Sequence, residues 1–441
     1  MRFLYLLLFF TLKLSTRLYF RRRATYNSPK EYLGRTIYVS NHAASFMDPL
    51  LIASFRKPIV FFMTRSDVFK PLLKPILWAA HMLPIYRKHD GEDTKAQNEK
   101  VFRASSKILK NGRNILIFGE GFTDDVFIRR LKSIKKGAAR MGFTALDDMD
   151  WKKKVYIAGV GCNYTDPNLM RSDILIATSD KICLNDYKAL YDENPNKAIV
   201  EVTKLIEIKM REQITHIDDK LLAPFHENIM RITRKGMNAK NYDSSYTLTE
   251  RWKYSQELAN WLNKQNIEEK EDISKLKEDI TSYFSLLKKL KLEEEYVYEF
   301  SKNQTGRTIE VLKMILLLPL SIIGLIHLYL PYIFVKRFAE KSFKRSVFWG
   351  SVKMVMGKAI MGIINLPVIF LFYHFIYPSY WLGFFYYAII IPACGLCAYL
   401  FFHNLKSFQI KGAMKKAKLD KVIQKREAIA TEISKLIPEF E

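Results

Sequence analysis

Short apolar runs alternate with longer helical patterns between residues 34 and 185. The runs are rich in β-branched and aromatic residues and are predicted strands: 36–40, 59–63, 83–86, 114–118, 154–160 and 173–178. Helical patterns lie between them at 49–56, 66–81, 94–110 and 132–146. Strands that alternate with helices build α/β layers around a sheet. The pattern therefore predicts an α/β domain with a largely parallel or mixed central sheet.

The pattern becomes helical after this domain. Residues 195–240 are predicted to be helical and basic. Further on, apolar residues recur at spacings of three and four, which is typical of an amphipathic helix: Ile273, Leu276, Ile280, Phe284, Leu287 and Leu290. We expect this helix to pair with one around 247–265. The pair is either a spacer or lid on the α/β domain or a solvated helical hairpin without a chemical role.

Three apolar runs follow near the C-terminal end. Residues 381–402 and 359–377 are 22 and 19 positions without a charge, and a membrane-spanning helix needs about 20. Pro378 and Ser379 separate the two runs, so a helical hairpin is expected. The third run, 314–335, contains Pro319 and Pro331. We expect these prolines to break the helix and make the run re-entrant or interfacial. A buried core is the alternative for each run.

Basic residues flank the apolar hairpin. Residues 336–358 carry seven Lys and Arg with one acid, and residues 403–441 carry nine Lys and Arg. The positive-inside rule places such segments on the cytoplasmic side. A hairpin at 359–402 that crosses twice satisfies this rule for both flanks.

The N-terminal run FLYLLLFF at 3–10 is followed by Lys13, Arg17 and Arg21–Arg23. Only Arg2 precedes it and no A-x-A cleavage site follows, which disfavours a signal peptide. Residues 1–23 are therefore predicted to be a membrane anchor or interfacial helix, with Arg21–Arg23 among anionic headgroups.

Charge sharpens this division of the chain. The 441 residues carry a formal net charge of +25, which usually indicates a polyanionic partner. Residues 1–240 are net +17, 241–310 are net −3 and 311–441 are net +11. Four cysteines exclude a disulfide scaffold and fit a reducing compartment. Nucleic acid is not an expected partner, because no basic–aromatic interleaving or known binding module is present.

The end of the first predicted strand carries the first candidate chemistry. Strand 36–40 runs into NHAASFMDP at 41–49. His42 could act as a general base and Asp48 as the carboxylate that orients it. Positions i and i+6 do not share a face of one helix, so His42 must lie in a turn before a helix that begins near Asp48. The alternatives are a loop histidine and an Asp48–Pro49 helix cap.

A second constellation follows strand 114–118. Glu120 stands between Gly119 and Gly121 in FGEGFTDD, where a carboxylate could accept hydrogen bonds from a polyol; a plain glycine-rich turn is the alternative. Basic residues that could bind a phosphate lie around it: Arg87, Arg129, Arg130, Lys132, Lys135 and Lys136. A solvated helix face is the alternative for this group.

These motifs together resemble the glycerolipid acyltransferase family, which includes the glycerol-3-phosphate and lysophosphatidic acid acyltransferases. The resemblance covers roughly 34–185 and rests on four ordered blocks: NHAASFMDP, LPIYR, FGEGFTDD followed by KKGAA, and GVGCNY. The five residues between His42 and Asp48, one more than is commonest, are similar to a subgroup that acylates glycerol-3-phosphate or dihydroxyacetone phosphate.

The resemblance implies roles for individual residues. His42 would be the general base on the acceptor hydroxyl and Asp48 its partner, with direct attack on an acyl thioester. Glu120 and Gly121 match the block that holds the glycerol backbone. Arg87 and Lys135–Lys136 match positions that bind the acceptor's phosphate. No metal or redox cofactor is implied; acyl-CoA or acyl carrier protein would be the co-substrate.

Two departures from the family pattern affect the acceptor site. Gly119 replaces the usual Pro before the block-three Glu. The usual Arg after Gly121 is absent, because Phe122 and Thr123 stand there. Arg129 and Arg130 are the candidates to replace this phosphate ligand.

The sequence thus predicts a membrane-bound enzyme of phospholipid biosynthesis that acylates glycerol-3-phosphate or lysophosphatidic acid, with its catalytic domain on the cytoplasmic face. The alternative is a non-catalytic, membrane-anchored protein that binds anionic lipid. The predicted segments are an anchor at 1–23, an acyltransferase domain at 24–240, an acidic helical segment at 241–310, a re-entrant or interfacial segment at 311–335, a basic loop and transmembrane hairpin at 336–402, and a basic cytoplasmic tail at 403–441.

Overall fold

The computed structural model describes residues 2–27, 34–55, 60–71, 74–86, 94–266, 269–302, 307–416 and 419–440. It contains an eight-stranded sheet: β1 (Phe20–Tyr26), β2 (Thr36–Ser40), β3 (Val60–Arg65), β4 (Met82–Ile85), β5 (Asn114–Phe118), β6 (Tyr156–Tyr164), β7 (Ser172–Thr178) and β8 (Ile182–Cys183). The strand order is β1-β7-β6-β2-β5-β3-β4, and β8 pairs with β6. Only the pairs that β6 forms with β7 and with β8 are antiparallel among the described strands. The predicted mixed α/β sheet is confirmed.

The α-helices of the described residues are, in chain order, α1 (Arg2–Tyr19), α2 (Met47–Phe55), α3 (Lys74–Ala79), α4 (Thr94–Lys110), α5 (Gly137–Asp147), α6 (Lys188–Glu193), α7 (Pro195–Arg211), α8 (Ala223–Thr233), α9 (Leu248–Asn263), α10 (Glu271–Lys289), α11 (Glu294–Ser301), α12 (Thr308–Ser342), α13 (Trp349–Asn365), α14 (Val368–Phe375), α15 (Tyr380–Phe385), α16 (Ile391–Lys416) and α17 (Asp420–Leu436). A short π-helix at Tyr386–Ile390 joins α15 to α16.

The chain divides into two compact units. The first unit holds the sheet and comprises Met1–Ala223, Ser244–Lys264 and Arg345–Ser351. Its core lies where apolar strand residues meet α5 and α7: Ile37, Ile115 and Ile157 of the sheet are fully buried, as are Ala139 and Val202 of the helices. Burying these apolar faces supplies the main driving force for this arrangement.

The second unit is helical and comprises Pro224–Asp243, Gln265–Lys344 and Val352–Glu441. Among the described residues, three helical stretches are long and apolar enough to cross a membrane: Thr308–Ser342, Ser346–Phe375 and Tyr380–Met414. These are the apolar helices that the sequence predicts at the C-terminal end. Within the unit α12 packs along α16, where a Cβ on Gly324 would lie 2.3 Å from the carbonyl oxygen of Cys394.

Two expectations about helices need correction. First, α12 continues without a break through Pro319 and Pro331. Prolines are tolerated in apolar helices of this kind because neighbouring groups can satisfy the freed backbone carbonyls. The predicted break is therefore wrong.

Second, the N-terminal helix ends at Tyr19, so residues 20–23 belong to the sheet. Arg22 donates to Asp173 of β7 at 2.9 Å, and Arg21 lies 3.6 Å from the same carboxylate. This ion pairing draws the arginine run into an edge strand.

Residues 195–240 are largely helical, as predicted, and contain α7 and α8. Helix α7 ends at Arg211, and residues after it turn against β6, where Asn163 donates to the carbonyl of Gln213 at 2.9 Å. A Cβ on Gly161 would lie 2.0 Å from the same carbonyl oxygen. The chain therefore leaves the helix to cover β6 closely.

Candidate active site

The candidate site lies beyond the carboxyl ends of β2 and β5. These strands are parallel neighbours, with Ser40 opposite Phe118 in the register. His42 and Glu120 each follow two residues after the end of one of these strands. Because parallel strands end at the same edge of a sheet, the two loops meet there, as ligand-binding loops of α/β sheets do.

The His42 and Asp48 side chains are in contact. Nδ1 of His42 lies 3.0 Å from Oδ2 of Asp48. A turn separates them, in which Ser45 adopts a positive φ of 51°, and α2 begins at Met47. The geometry is the turn-then-helix arrangement that the spacing predicts. Asp48 is fully buried, whereas the His42 side chain keeps 21% of its surface exposed.

The Asp48 carboxylate is held from three directions. Besides His42, Oδ2 accepts the backbone N–H of Ala44 at 3.0 Å, and Oδ1 accepts the hydroxyl of Tyr164 at 2.7 Å. The carboxylate thus contacts two groups that precede α2 and one at the end of β6. The alternative of Asp48 as a plain helix cap is not what these contacts show.

This arrangement fixes the imidazole of His42. A carboxylate at Nδ1 favours the tautomer that carries its proton there, so Nε2 keeps its lone pair. The ring stacks on Phe118 with centroids 4.1 Å apart. No described residue hydrogen-bonds Nε2. His42 can therefore accept a proton at Nε2.

Glu120 lies beside the His42 backbone. Its Oε1 accepts the N–H of His42 at 2.9 Å. Burial raises the pKa of this carboxyl to about 7, although the His42 N–H and the Lys132 cation oppose the shift. Gly121 has a φ of 77°, which favours glycine, and a Cβ on Gly119 would lie 2.8 Å from both Ile134 and Val39. The backbone of the turn therefore favours glycine at 121, and the close packing of Ile134 and Val39 favours glycine at 119.

Lysines border this turn. Nζ of Lys132 lies 3.1 Å from Asp124 and 4.0 Å from Oε2 of Glu120, and only 10% of its side chain is exposed. Lys135 donates its N–H to the carbonyl of Gly119 at 2.9 Å and has an exposed side chain. Lys136 is also exposed and directly precedes α5. The structure thus brings Lys132 and Lys135 to the Glu120 turn.

Arg129 and Arg130 have other surroundings. The Arg129 guanidinium donates to the carbonyls of Tyr164 and Thr165 at 3.0 and 3.1 Å and lies over the ring of Phe127. Burial chiefly lowers the pKa of the His216 imidazole, followed by the charge of Arg211, and Arg130 adds a smaller effect in the same direction. The contacts described here do not bring either arginine to Glu120. Arg87 lies outside the described residues.

Tyr164 is a member of the site that the sequence reasoning does not identify. It ends β6, is fully buried, and donates to Asp48. Burial and the neighbouring Asp48 charge raise its pKa, so the phenol stays protonated as a donor. A buried tyrosine ending a strand is the available signal, because its hydroxyl needs a partner. Asn41 secures the same strand by exchanging two hydrogen bonds with the backbone of Cys162, at 3.2 and 2.8 Å.

Residues 21–163 match the family model described as Acyltransferase. This range is about a third of the chain and contains His42, Asp48 and Glu120. The matched residues are therefore an acyltransferase domain, and the protein is an acyltransferase.

Comparisons beyond the family model are sparse. No curated protein matches the chain. Among solved structures, the 1-acyl-sn-glycerophosphate (LPA) acyltransferase PlsC from Thermotoga maritima is 17% identical, with a TM-score of 0.31 over 45% of this chain and 78% of that chain. A likeness at this level adds nothing to the fold or to the choice of substrate.

Proposed function

We propose that the protein is a membrane-bound O-acyltransferase of phospholipid biosynthesis. It transfers a fatty acyl group from acyl-CoA or acyl carrier protein to a hydroxyl of glycerol-3-phosphate or lysophosphatidic acid. The observation that carries the proposal is the 3.0 Å contact of His42 Nδ1 with the buried Asp48, inside an acyltransferase domain and with Nε2 free to take a proton.

His42 acts as the general base. Its Nε2 removes the proton of the acceptor hydroxyl while that oxygen attacks the thioester carbonyl carbon. Asp48 holds the ring and stabilises the imidazolium that forms, as the carboxylate of a catalytic triad does. The C–S bond then breaks, and the imidazolium returns its proton to the departing thiolate. Atoms and charge balance without a covalent enzyme intermediate, and no metal or redox cofactor takes part.

Glu120, Gly121 and the neighbouring cations receive the acceptor. Glu120 accepts a hydrogen bond from the glycerol backbone, and the open backbone at Gly121 lets the ligand approach. Lys135 and Lys136 bind the phosphate, together with Arg87. Lys132 keeps Glu120 and Asp124 partly neutralised beside a phosphorylated ligand. The five-residue spacing favours the subgroup that acylates glycerol-3-phosphate.

The apolar helices hold the enzyme at a membrane. The basic segments at 336–358 and 403–441 favour the cytoplasmic side for these segments and for the catalytic domain. Basic residues of the first 240 positions meet anionic headgroups. The acyltransferase match favours an enzyme over a non-catalytic lipid-binding protein.

The test is an acceptor panel on the purified full-length protein. Labelled acyl-CoA and acyl carrier protein are each offered with glycerol-3-phosphate, dihydroxyacetone phosphate and lysophosphatidic acid. We expect transfer to at least one phosphorylated acceptor. His42→Ala should lower kcat by roughly 10²–10⁴-fold, the usual contribution of a general base. His374→Ala, at an exposed histidine of α14, is the matched control and should keep the wild-type rate.

Two outcomes would contradict the proposal. One is a wild-type protein that transfers nothing to any phosphorylated glycerol acceptor from either donor. The other is a His42→Ala variant with an unchanged rate.

A further inference from the structure

Residues 345–351 lie in sequence between two long apolar helices, yet they belong to the first unit. The N–H of Val347 donates to the carbonyl of Asp125 at 3.1 Å, and the N–H of Gly350 donates to Asn168 at 2.9 Å. A Cβ on Gly350 would lie 2.1 Å from the carbonyl oxygen of Pro167. Only glycine fits at such a distance, so the segment is closely fitted to the acyltransferase domain.

Within this segment, Arg345 makes the most contacts with the turn at residues 120–125. Its Nη2 donates to the hydroxyl of Thr123 at 2.7 Å, to the carbonyl of Asp124 at 3.0 Å, and to the Thr123 carbonyl. Its Nε lies 2.6 Å from Oδ1 of Asp125. One guanidinium thus contacts three consecutive residues, which suits the rigid fork of donors that arginine presents.

The turn that Arg345 holds is the one that carries Glu120 and Gly121. Lys132 holds the same turn from within the domain, through Asp124 and the carbonyl of Phe122. Asp124 and Asp125 would otherwise place two negative charges near a site for a phosphorylated ligand. Lys132 pairs with the first carboxylate and Arg345 with the second.

We propose that Arg345 is a positioning residue for the acceptor site, supplied by the segment that links two apolar helices. It fixes the conformation of residues 120–125 and neutralises Asp125. The proposal rests on the proposed function, because the acceptor is the ligand that this turn receives. It also assigns the stretch around Arg345 a task other than marking membrane orientation.

Kinetics of full-length variants test the proposal. Arg345→Ala should raise the acceptor KM roughly ten- to hundredfold, as the loss of charge-assisted hydrogen bonds predicts, and leave the thioester KM within about twofold of wild type. Arg345→Lys should recover only part of the loss, because an ammonium cannot reach all four oxygens. Arg211→Ala removes an exposed arginine of α7 that pairs with Glu207 and Asp218, and it should change neither KM.

A second measurement does not depend on turnover. Hydrogen–deuterium exchange of the turn peptide 118–126 should be faster in Arg345→Ala than in wild type, and unchanged in Arg211→Ala. Equal exchange and equal acceptor KM in wild type and Arg345→Ala would overturn the proposal. So would a rise of both KM values by the same factor. If the wild-type protein acylates no phosphorylated acceptor, the proposed function fails, while the exchange data still decide whether Arg345 holds the turn.

Discussion

Tyr164 shows how one side chain can complete the proposed catalytic pair of His42 and Asp48. Asp48 is fully buried and needs its charge satisfied on both oxygens. His42 and the Ala44 N–H take one oxygen, and the Tyr164 hydroxyl takes the other. An uncompensated buried carboxylate oxygen would cost free energy and let the side chain rotate. Tyr164 therefore fixes the carboxylate that orients the proposed base, His42.

We predict that Tyr164→Phe lowers kcat by roughly tenfold or more, the effect of losing one hydrogen bond to a charged group. The ring and its packing remain, so both KM values should stay near wild type. Tyr156→Phe, on the same strand, is the matched control, and its kcat should not change. Steady-state kinetics with both substrates check this, and an unaltered kcat in Tyr164→Phe would contradict the role.

Glu120 gives the folding free energy a pH dependence. Its pKa rises from 4.5 to about 7 on folding because the carboxyl is buried. Below pH 4.5 both states are protonated. As pH rises towards 7 the unfolded chain loses this proton first, so the folded state is progressively destabilised relative to the unfolded one. The full effect is at most about 3 kcal/mol.

We therefore predict that Glu120→Gln, which cannot ionise, gains stability relative to wild type between pH 4.5 and 7. Melting temperatures measured at pH 5 and pH 8 check this. The difference between variant and wild type should be larger at pH 8. Glu193→Gln, at an exposed position on α6, should show no such trend. An equal difference at both pH values would show that Glu120 does not titrate as described.

At the scale of elements, the local pattern predicts the central strands and misses the edge strand β1. Strands 36–40 and 114–118 and helix 94–110 coincide with β2, β5 and α4. Their apolar residues have the period of the element they form. Strand β1 reads FRRRATY, which has no apolar alternation. It pairs with β7 through its backbone and through Asp173, contacts that no local pattern reveals.

The same limit applies to the candidate site. His42, Asp48 and Glu120 follow predicted strands within a few residues, so short motifs suffice to find them. Tyr164 and Arg345 reach the site from 116 and 222 residues away from their partners Asp48 and Thr123. In the sequence, Lys132 is one cation of a basic run, and only its contact with Asp124 in the folded structure distinguishes it. Long-range partners of this kind require the fold.

Two glycines provide an element-scale prediction. A Cβ on Gly161 of β6 would lie 2.0 Å from the Gln213 carbonyl oxygen, which is backbone and cannot rotate away. Gly161→Ala should therefore destabilise the domain by about 1–3 kcal/mol or more. At Gly137, the first residue of α5, the nearest atom would be 3.8 Å away. Gly137→Ala should be neutral or slightly stabilising, since alanine favours helix.

Thermal unfolding of both variants checks this pair. Gly161→Ala should lower the melting temperature by several degrees, and Gly137→Ala should not. Equal melting temperatures would show that the segment after α7 does not press on β6.

At the scale of the whole molecule, the contacts of Arg345 constrain how the chain meets a membrane. Three stretches are long and apolar enough to cross, which by count alone would allow α12 to be the first span. Its surface suits a lipid environment, with Leu316, Ile326 and Leu330 each more than 70% exposed. Length and exposure do not decide whether its two ends lie on opposite faces.

The way in which the chain connects α12 to the first unit bears on where its two ends lie. Lys302 lies shortly before α12 in the chain, and Lys264 ends the preceding segment of the first unit. The described residues between these two lysines contain no candidate span. Lys344 adjoins Arg345, which is bound to Thr123 and Asp124 of the same unit. A chain changes face only by crossing the bilayer. We therefore expect both ends of α12 to lie on the face of the catalytic domain, with this unbroken helix along the interface.

We predict that Lys302→Cys and Lys344→Cys, in a background without the four native cysteines, react with an impermeant maleimide from the same face of sealed vesicles. A cysteine at Ser379, between the two remaining apolar stretches, should not react from that face. Labelling of residues 302 and 344 from opposite faces would show that α12 crosses. It would also separate Arg345 from Thr123, so that single result would contradict both the topology and the positioning role of Arg345.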